Sequence, residues 1–174
     1  MKEKLTRAVR KTLPPSTVHQ VEERYRKARA RLLAAQYGNP AKSLKVIGVT
    51  GTNGKTATVN YLNEILKESG KKTAMFSTAV IEVAGKKRIN DLNATVASVA
   101  TMQKFFLEAK KARVDYVVME FPSHALAQHK LAGVPVEMAI MTNLTQDHLD
   151  YHLNMENYFQ YILISKKKLK KIKN

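Results

Sequence analysis

Residues 48–56 read Gly48-Val49-Thr50-Gly51-Thr52-Asn53-Gly54-Lys55-Thr56, a run whose residue types suit chemistry on a phosphate. Gly51 and Gly54 permit positive φ and let backbone N–H groups approach an anion closely. Lys55 adds a mobile charge for β- and γ-phosphate oxygens, and the Thr56 hydroxyl can take a place on Mg²⁺. With Thr52 and Asn53 between them, Gly51–Thr56 read as a nucleotide phosphate cradle; the alternative is an ordinary Gly-rich turn. The spacing departs from the common form, because five residues rather than four separate Gly48 from Gly54. Two later groups could join this site. Glu120 could hold Mg²⁺ directly or through water, and His148 could hold a second metal or contact the transferred phosphoryl group. Asp147, Asp150 and His152 stand near enough in sequence to support them.

The elements that must position these groups follow from periodicity. Leu44–Thr50 is an apolar, β-branched run that enters the loop, and Val59, Leu62, Ile65 and Leu66 give the helix after it a buried stripe ending at Gly70. Lys72–Thr78 reads as a strand, and Val80–Val83 with Gly85 and Ile89 as a hairpin or irregular excursion whose Lys86-Lys87-Arg88 form a solvated turn. A helix from Ser98 to Ala112 buries Met102, Phe105, Phe106 and Ala109. Tyr116–Met119 is a continuous apolar run, as expected of a parallel strand covered on both faces, and delivers Glu120 at its end. A short helix covers 123–129, and Met138–Thr142 reads as another buried strand. Strands alternating with helices predict an α/β fold with a mostly parallel sheet, and right-handed crossovers bring the strand ends to the edge that carries the loop.

Upstream, Pro14-Pro15 favours an extended segment. From Thr17 the spacing predicts an amphipathic helix, with a capping box at Thr17 and Gln20, a buried stripe of Val18, Val21, Tyr25, Ala28 and Leu32, and Gly38 just past its end. Three parts result: a basic segment 1–43, an α/β domain 44–162 that carries the phosphate cradle, and a Lys-rich tail 163–174.

The chain has 174 residues, no Cys and a net charge of +16. Residues 1–45 carry 12 Lys/Arg against 3 acidic groups and 163–174 carry 6 Lys against none, so the middle is nearly neutral. Charge confined to the ends, with no aromatic stacking platform, argues against nucleic-acid binding as the main role. The absence of Cys fits a reducing compartment, and no apolar run reaches the ~18 residues of a membrane span, so a soluble cytoplasmic protein is expected.

Three blocks, Gly48–Thr56, Met119–Gln128 and Thr142–His152, resemble the central ATP-binding domain of the Mur ligase family, of the UDP-N-acetylmuramoyl-tripeptide synthetase (MurE) type. The resemblance covers residues 44–158, and the longer Gly spacing is the one this family uses. It implies an ATP-dependent amide ligase of peptidoglycan synthesis: a UDP-muramoyl-peptide carboxylate becomes an acyl phosphate, which an amino acid's amine attacks. It implies that Gly51–Thr56 hold ATP, that Thr56 and Glu120 serve one Mg²⁺ and His148 a second, and that Lys55, Glu120 and His148 act in catalysis. Thr95, Gln128 and Lys130 fall where the family contacts its UDP-sugar substrate, Lys130 standing in for an Arg.

The departures bear on activity. The family's paired Thr is Thr95-Val96 here, and the first of its paired Ser is Pro122. The Lys that the family carbamylates falls at Ile162, with Lys166 one helical turn on, about 6 Å along the axis. A uridine-binding domain before the loop and a closing domain after it are also expected, whereas this sequence ends at Asn174 in an Ile/Leu/Lys run read as a truncated or frame-shifted end. The readings are therefore a ligase domain, or a Mg·ATP-binding module or inactive fragment that lacks the substrate and closing domains and acts through a partner chain that supplies them, with a basic nucleic-acid-binding protein the least favoured. The residues that would choose the amino acid lie outside this sequence.

Overall fold

The computed structural model describes residues 14–90, 96–147 and 149–166. Thr95, His148 and the tail from residue 167 onward, all used above, lie outside them.

Six strands form one sheet in the order β4-β3-β2-β5-β1-β6. The parallel part comprises β1 (Lys45–Thr50), β2 (Thr73–Phe76), β5 (Tyr116–Glu120) and β6 (Met138–Met141), and β3 (Val80–Val83) and β4 (Lys86–Ile89) extend it as an antiparallel hairpin. The register pairs Val49 with Glu120 and Thr50 with Met141, so three segments leave the sheet at one edge. Alternation along the strands divides the core. Val46, Ala74, Phe76, Val117 and Met119 pack with Met102, Phe105 and Phe106 of α3 (Val99–Lys111), while Ile47, Val49, Met75 and Val118 pack with Val59 of α2 (Lys55–Glu68) on the other face. Ser98 caps α3, its Oγ accepting from the Thr101 N–H at 3.0 Å. Gly48 leaves room for the Phe121 ring, which fills the space a Cβ would need. Three helices lie beyond β5, namely α4 (Ser123–Ala127), α5 (Leu149–His152) and α6 (Met155–Lys166), and a 3₁₀ turn at Pro40–Ser43 precedes β1.

Several expectations are corrected. Pro15 opens α1 (Pro15–Gln36) at its first turn instead of extending the chain, and the N-cap is Pro14 with no side-chain bond from Thr17. Proline fits there because the first-turn N–H groups lack helical partners anyway. The buried side of α1 is Ala30 and Ala34, while Val21, Tyr25 and Leu32 are 52%, 65% and 63% exposed. Small side chains let α1 pack closely on α3, and that contact outweighs the apolar stripe. On α2, Ile65 is exposed and Asn63 is buried, because Asn63 reaches the fully buried Glu82 of β3 at 3.3 Å. Lys67 pairs with the same carboxylate at 3.1 Å. Lys86-Lys87-Arg88 form the edge strand β4 and not a turn; Arg88 pairs with Glu108 at 2.8 Å, and the turn is Ala84-Gly85. At the opposite edge β6 has a neighbour on one side only among the described residues, so Met138 and Met141 are half exposed where a buried strand was expected.

Candidate functional site

The loop between β1 and α2 is held from below by the segment after β6. Thr52 N–H donates to Asn143 O at 3.2 Å and Asn53 N–H to Asn143 Oδ1 at 2.9 Å, while the Thr142 hydroxyl donates to Asn53 O at 2.7 Å. The Thr52 hydroxyl is buried and fully engaged, lying 3.1 Å from Thr145 O, 3.0 Å from Thr145 N and 3.0 Å from the hydroxyl of Tyr158 on α6. Gly51 makes the approach possible: at φ +130° any Cβ would meet Thr142 Oγ1 and lie 2.9 Å from Asn143 O. Gly54 is the left-handed N-cap of α2, with φ +79°. The first turn of α2 begins immediately after it, so the Lys55, Thr56 and Ala57 N–H groups precede the first intrahelical bond, Thr58 N–H to Gly54 O.

Lys55 folds back over this loop, its ammonium 2.8 Å from Gly51 O and 2.7 Å from Thr52 O. Burial holds its pKa below the ordinary lysine value, against the opposing pull of Glu120 and Asp147. Glu120, at the end of β5, meets the loop from the neighbouring strand. Its Oε1 accepts from the Thr56 hydroxyl at 2.8 Å and from Thr78 N–H at 3.0 Å, and its Oε2 is buried with no hydrogen-bond partner among the described residues. Lys55, Thr56, Thr78, Glu120 and His124 line a cavity of about 230 Å³. An orphaned carboxylate oxygen beside a threonine hydroxyl suits a hard divalent cation that takes its remaining ligands from phosphate and water. Among the described residues no group of three His, Asp or Glu side chains could enclose a metal by itself.

The other expected site residues are distributed. Gln128 donates to the Tyr151 hydroxyl at 3.4 Å, and Lys130 donates to Val96 O at 3.1 Å with its pKa lowered by burial. Both line a separate cavity of about 650 Å³ beside α1. His152 is a core group: 2% exposed, it reaches Ser123 Oγ at 3.0 Å and stacks on Tyr158 with ring centroids 5.1 Å apart. Asp147 faces Lys55 electrostatically, and Asp150 is an exposed residue in the first turn of α5. Ile162 is 2% exposed, so an apolar contact occupies the place where the resemblance calls for a lysine. Lys166 is described only in its backbone. Sequence reasoning did not find Tyr158 as a partner of the loop, since 106 residues separate it from Thr52 and only the docking of α6 brings them together.

A mostly parallel sheet with a Gly-rich, lysine-bearing loop at its carboxyl edge is the architecture of nucleotide-binding α/β proteins. Residues 49–171 match the model of the Mur ligase middle domain, and the chain belongs to that family. A UDP-N-acetylmuramoyl-L-alanyl-D-glutamate–2,6-diaminopimelate ligase of Syntrophomonas wolfei is 44% identical over 133 residues, 76% of this chain and 27% of that protein. A ligase of the same name from Clostridium acetobutylicum is 42% identical over 156 residues, 90% of this chain and 32% of that protein. The chain thus spans about 30% of the length of these relatives. A solved structure of such a diaminopimelate ligase superposes with a TM-score of 0.70 at 27% identity, covering 86% of this chain and 30% of that one. E. coli FolC, solved with DHPP and ADP, superposes with a TM-score of 0.59 at 25% identity, covering 77% of this chain and 37% of that one. No helix among the described residues is long and apolar enough to cross a membrane.

Proposed function

We propose that this chain is the ATP-binding part of a ligase that joins an amino acid to a UDP-muramoyl-peptide in the cytoplasm, through an acyl phosphate on the peptide's carboxylate. The single observation that carries the reading is the meeting of Thr56 Oγ1 with Glu120 Oε1 at 2.8 Å, with Glu120 Oε2 buried beside Lys55 and without a hydrogen-bond partner among the described residues.

Phosphoryl transfer asks a protein mainly for positioning and charge neutralisation. The N–H groups of Lys55, Thr56 and Ala57 point out of the start of α2 and, with its dipole, favour phosphate oxygens there. Lys55 would release the Gly51 and Thr52 carbonyls to reach them, exchanging neutral acceptors for charged ones. Thr56 and Glu120 would hold Mg²⁺, which, once bound, neutralises charge on the β- and γ-phosphates. His148 is proposed for the second metal, and Thr95, Gln128 and Lys130 for the UDP-sugar. The Thr142–Thr145 segment fixes Thr52 and Asn53 and so keeps the loop open for the nucleotide.

The buried Ile162 favours a second reading, a module that binds Mg·ATP but completes ligation only with help from another chain. The test is phosphate release by the purified chain given ATP, Mg²⁺, UDP-N-acetylmuramoyl-L-alanyl-D-glutamate and diaminopimelate. Release that depends on both co-substrates supports the ligase. ATP binding without release supports the module, and no ATP binding refutes both.

A further inference from the structure

The apolar stripe that residue spacing places on α1 exists, but it faces outward. Val18, Val21, Tyr25, Ala28, Leu32 and Ala35 recur at alternating steps of three and four, which are the a and d positions of nearly three heptads. Five of the six are exposed, Val21, Tyr25 and Leu32 by half to two-thirds of their surface, and Val18 is half-buried. Ala30 and Ala34, which pack toward α3, lie on the opposite side of the helix. The small-residue face of α1 thus holds the helix to the domain, and its second apolar line has no cover among the described residues. Single exposed apolar residues are ordinary, whereas a line of them at one period along a helix of 22 residues, about 33 Å, is a contact surface.

The charges that flank this line select its occupant. Glu22 and Arg29 stand at e positions, Arg24 and Arg31 at g. Glu22 is paired with Arg26 of its own helix at 3.2 Å, and the other ion pair of α1 among the described residues joins Glu23 to His129 at 3.4 Å. Arg24, Arg29 and Arg31 therefore keep their charge for a neighbour. In a parallel pair of two copies, g faces the following e and sets Arg24 against Arg29; in an antiparallel pair, g faces g and sets Arg24 against Arg31. Both pairings repel. A membrane surface suits a broad face of large apolar residues, but this line is narrow and two of its six positions are Ala. We infer that the outer face of α1 is a docking seam for one amphipathic helix of a partner protein, a helix with apolar residues at a and d and acidic residues at e and g. Its carboxylates pair with Arg24, Arg29 and Arg31, while its apolar stripe covers Val21, Tyr25 and Leu32. The seam makes no use of the nucleotide site.

The probe is a labelled three-heptad peptide with Leu at a and d and Glu at e and g, titrated with the whole chain and followed by fluorescence anisotropy. It is expected to bind about tenfold or more tightly than a scrambled peptide of the same composition, and than a heptad peptide with Lys at e and g. Tyr25→Gln and Leu32→Gln should each weaken binding about tenfold or more, because each removes a large apolar side chain from the seam while glutamine keeps the helix. Arg24→Glu combined with Arg31→Glu should reverse the preference between the acidic and basic peptides. Circular dichroism establishes that each variant is folded. No binding of the acidic heptad peptide, equal binding of the scrambled one, or unchanged affinity in folded Tyr25→Gln and Leu32→Gln overturns the seam. Light scattering of the chain alone and co-sedimentation with phosphatidylglycerol vesicles test the other occupants. A dimer or vesicle binding that Leu32→Gln abolishes, with no binding of the acidic peptide, assigns the face to a second copy or to a membrane and overturns the partner helix.

Discussion

Tyr158→Phe removes one hydroxyl and tests how the phosphate loop is held. That hydroxyl is 3.0 Å from Thr52 Oγ1 in a residue only 1% exposed. The ring stays, so the stack on His152 is retained and the loss is confined to one buried hydrogen bond. A neutral bond of this kind contributes about 0.5–1.5 kcal/mol net. In a chain of this size that lowers the melting temperature by about 2–4 °C per kcal/mol. Thr52→Val should cost more, because the buried Tyr158 hydroxyl loses its partner along with the part-buried Thr145 N–H and O, and an unpaired buried polar group costs about 1–3 kcal/mol. The double variant should then be less unstable than the sum of the two, since the Tyr158 hydroxyl has already lost its partner in Thr52→Val. Urea unfolding of the four proteins, with unchanged slopes, gives the coupling energy. A coupling of about 0.5–1.5 kcal/mol is expected; additivity within about 0.3 kcal/mol would show that α6 does not clamp the loop.

Gly51→Ala forces a Cβ against Thr142 and Asn143 at a φ of +130°, a conformation that strains any L side chain by about 1–3 kcal/mol, and it should lower stability and abolish ATP binding together. Stability close to wild type with normal ATP affinity would contradict it. Lys55 has a pKa below the ordinary value, so between that pKa and the unfolded value of 10.5 the unfolded chain holds a proton the folded chain has released. Stability gains from Lys55 as pH rises through that window, and the penalty of its charge is full below it. Phosphate beside the ammonium raises the pKa again, so ATP binding at alkaline pH should take up protons, measured as a dependence of the calorimetric heat on buffer ionisation; Lys55→Met should remove that dependence, and an uptake that persists would assign it elsewhere.

How much of this was readable from residues alone depended on the range of the interaction. The β1 run, the loop glycines and the stripe of α3 are local patterns, and the apolar run that ends at Glu120 needs only the rule that parallel strands are buried on both faces. Glu120 therefore arrives beside Thr56 as expected. The failures have a common cause. Val21, Tyr25 and Leu32 form a better apolar stripe than Ala30 and Ala34, yet the small residues win because α3 approaches them closely. Ile65 yields its buried place to Asn63 because a buried carboxylate, Glu82, needs donors from α2. Met138 and Met141 read as core and are half exposed because β6 has no further neighbour among the described residues.

The central claim is that Thr56 and Glu120 receive the cation that accompanies a nucleotide triphosphate. ATP affinity measured with and without Mg²⁺, in wild type and in Glu120→Gln, tests it most directly. Glutamine keeps the shape and the acceptor for Thr56 and Thr78 and removes only the charge. A carboxylate within about 4 Å of a cation at a partly buried site is worth about 4 kcal/mol per unit of charge, so even partial screening leaves tenfold or more. Mg²⁺ should strengthen ATP binding at least about tenfold in wild type and leave Glu120→Gln nearly unaffected. An equal gain from Mg²⁺ in both proteins would contradict the account.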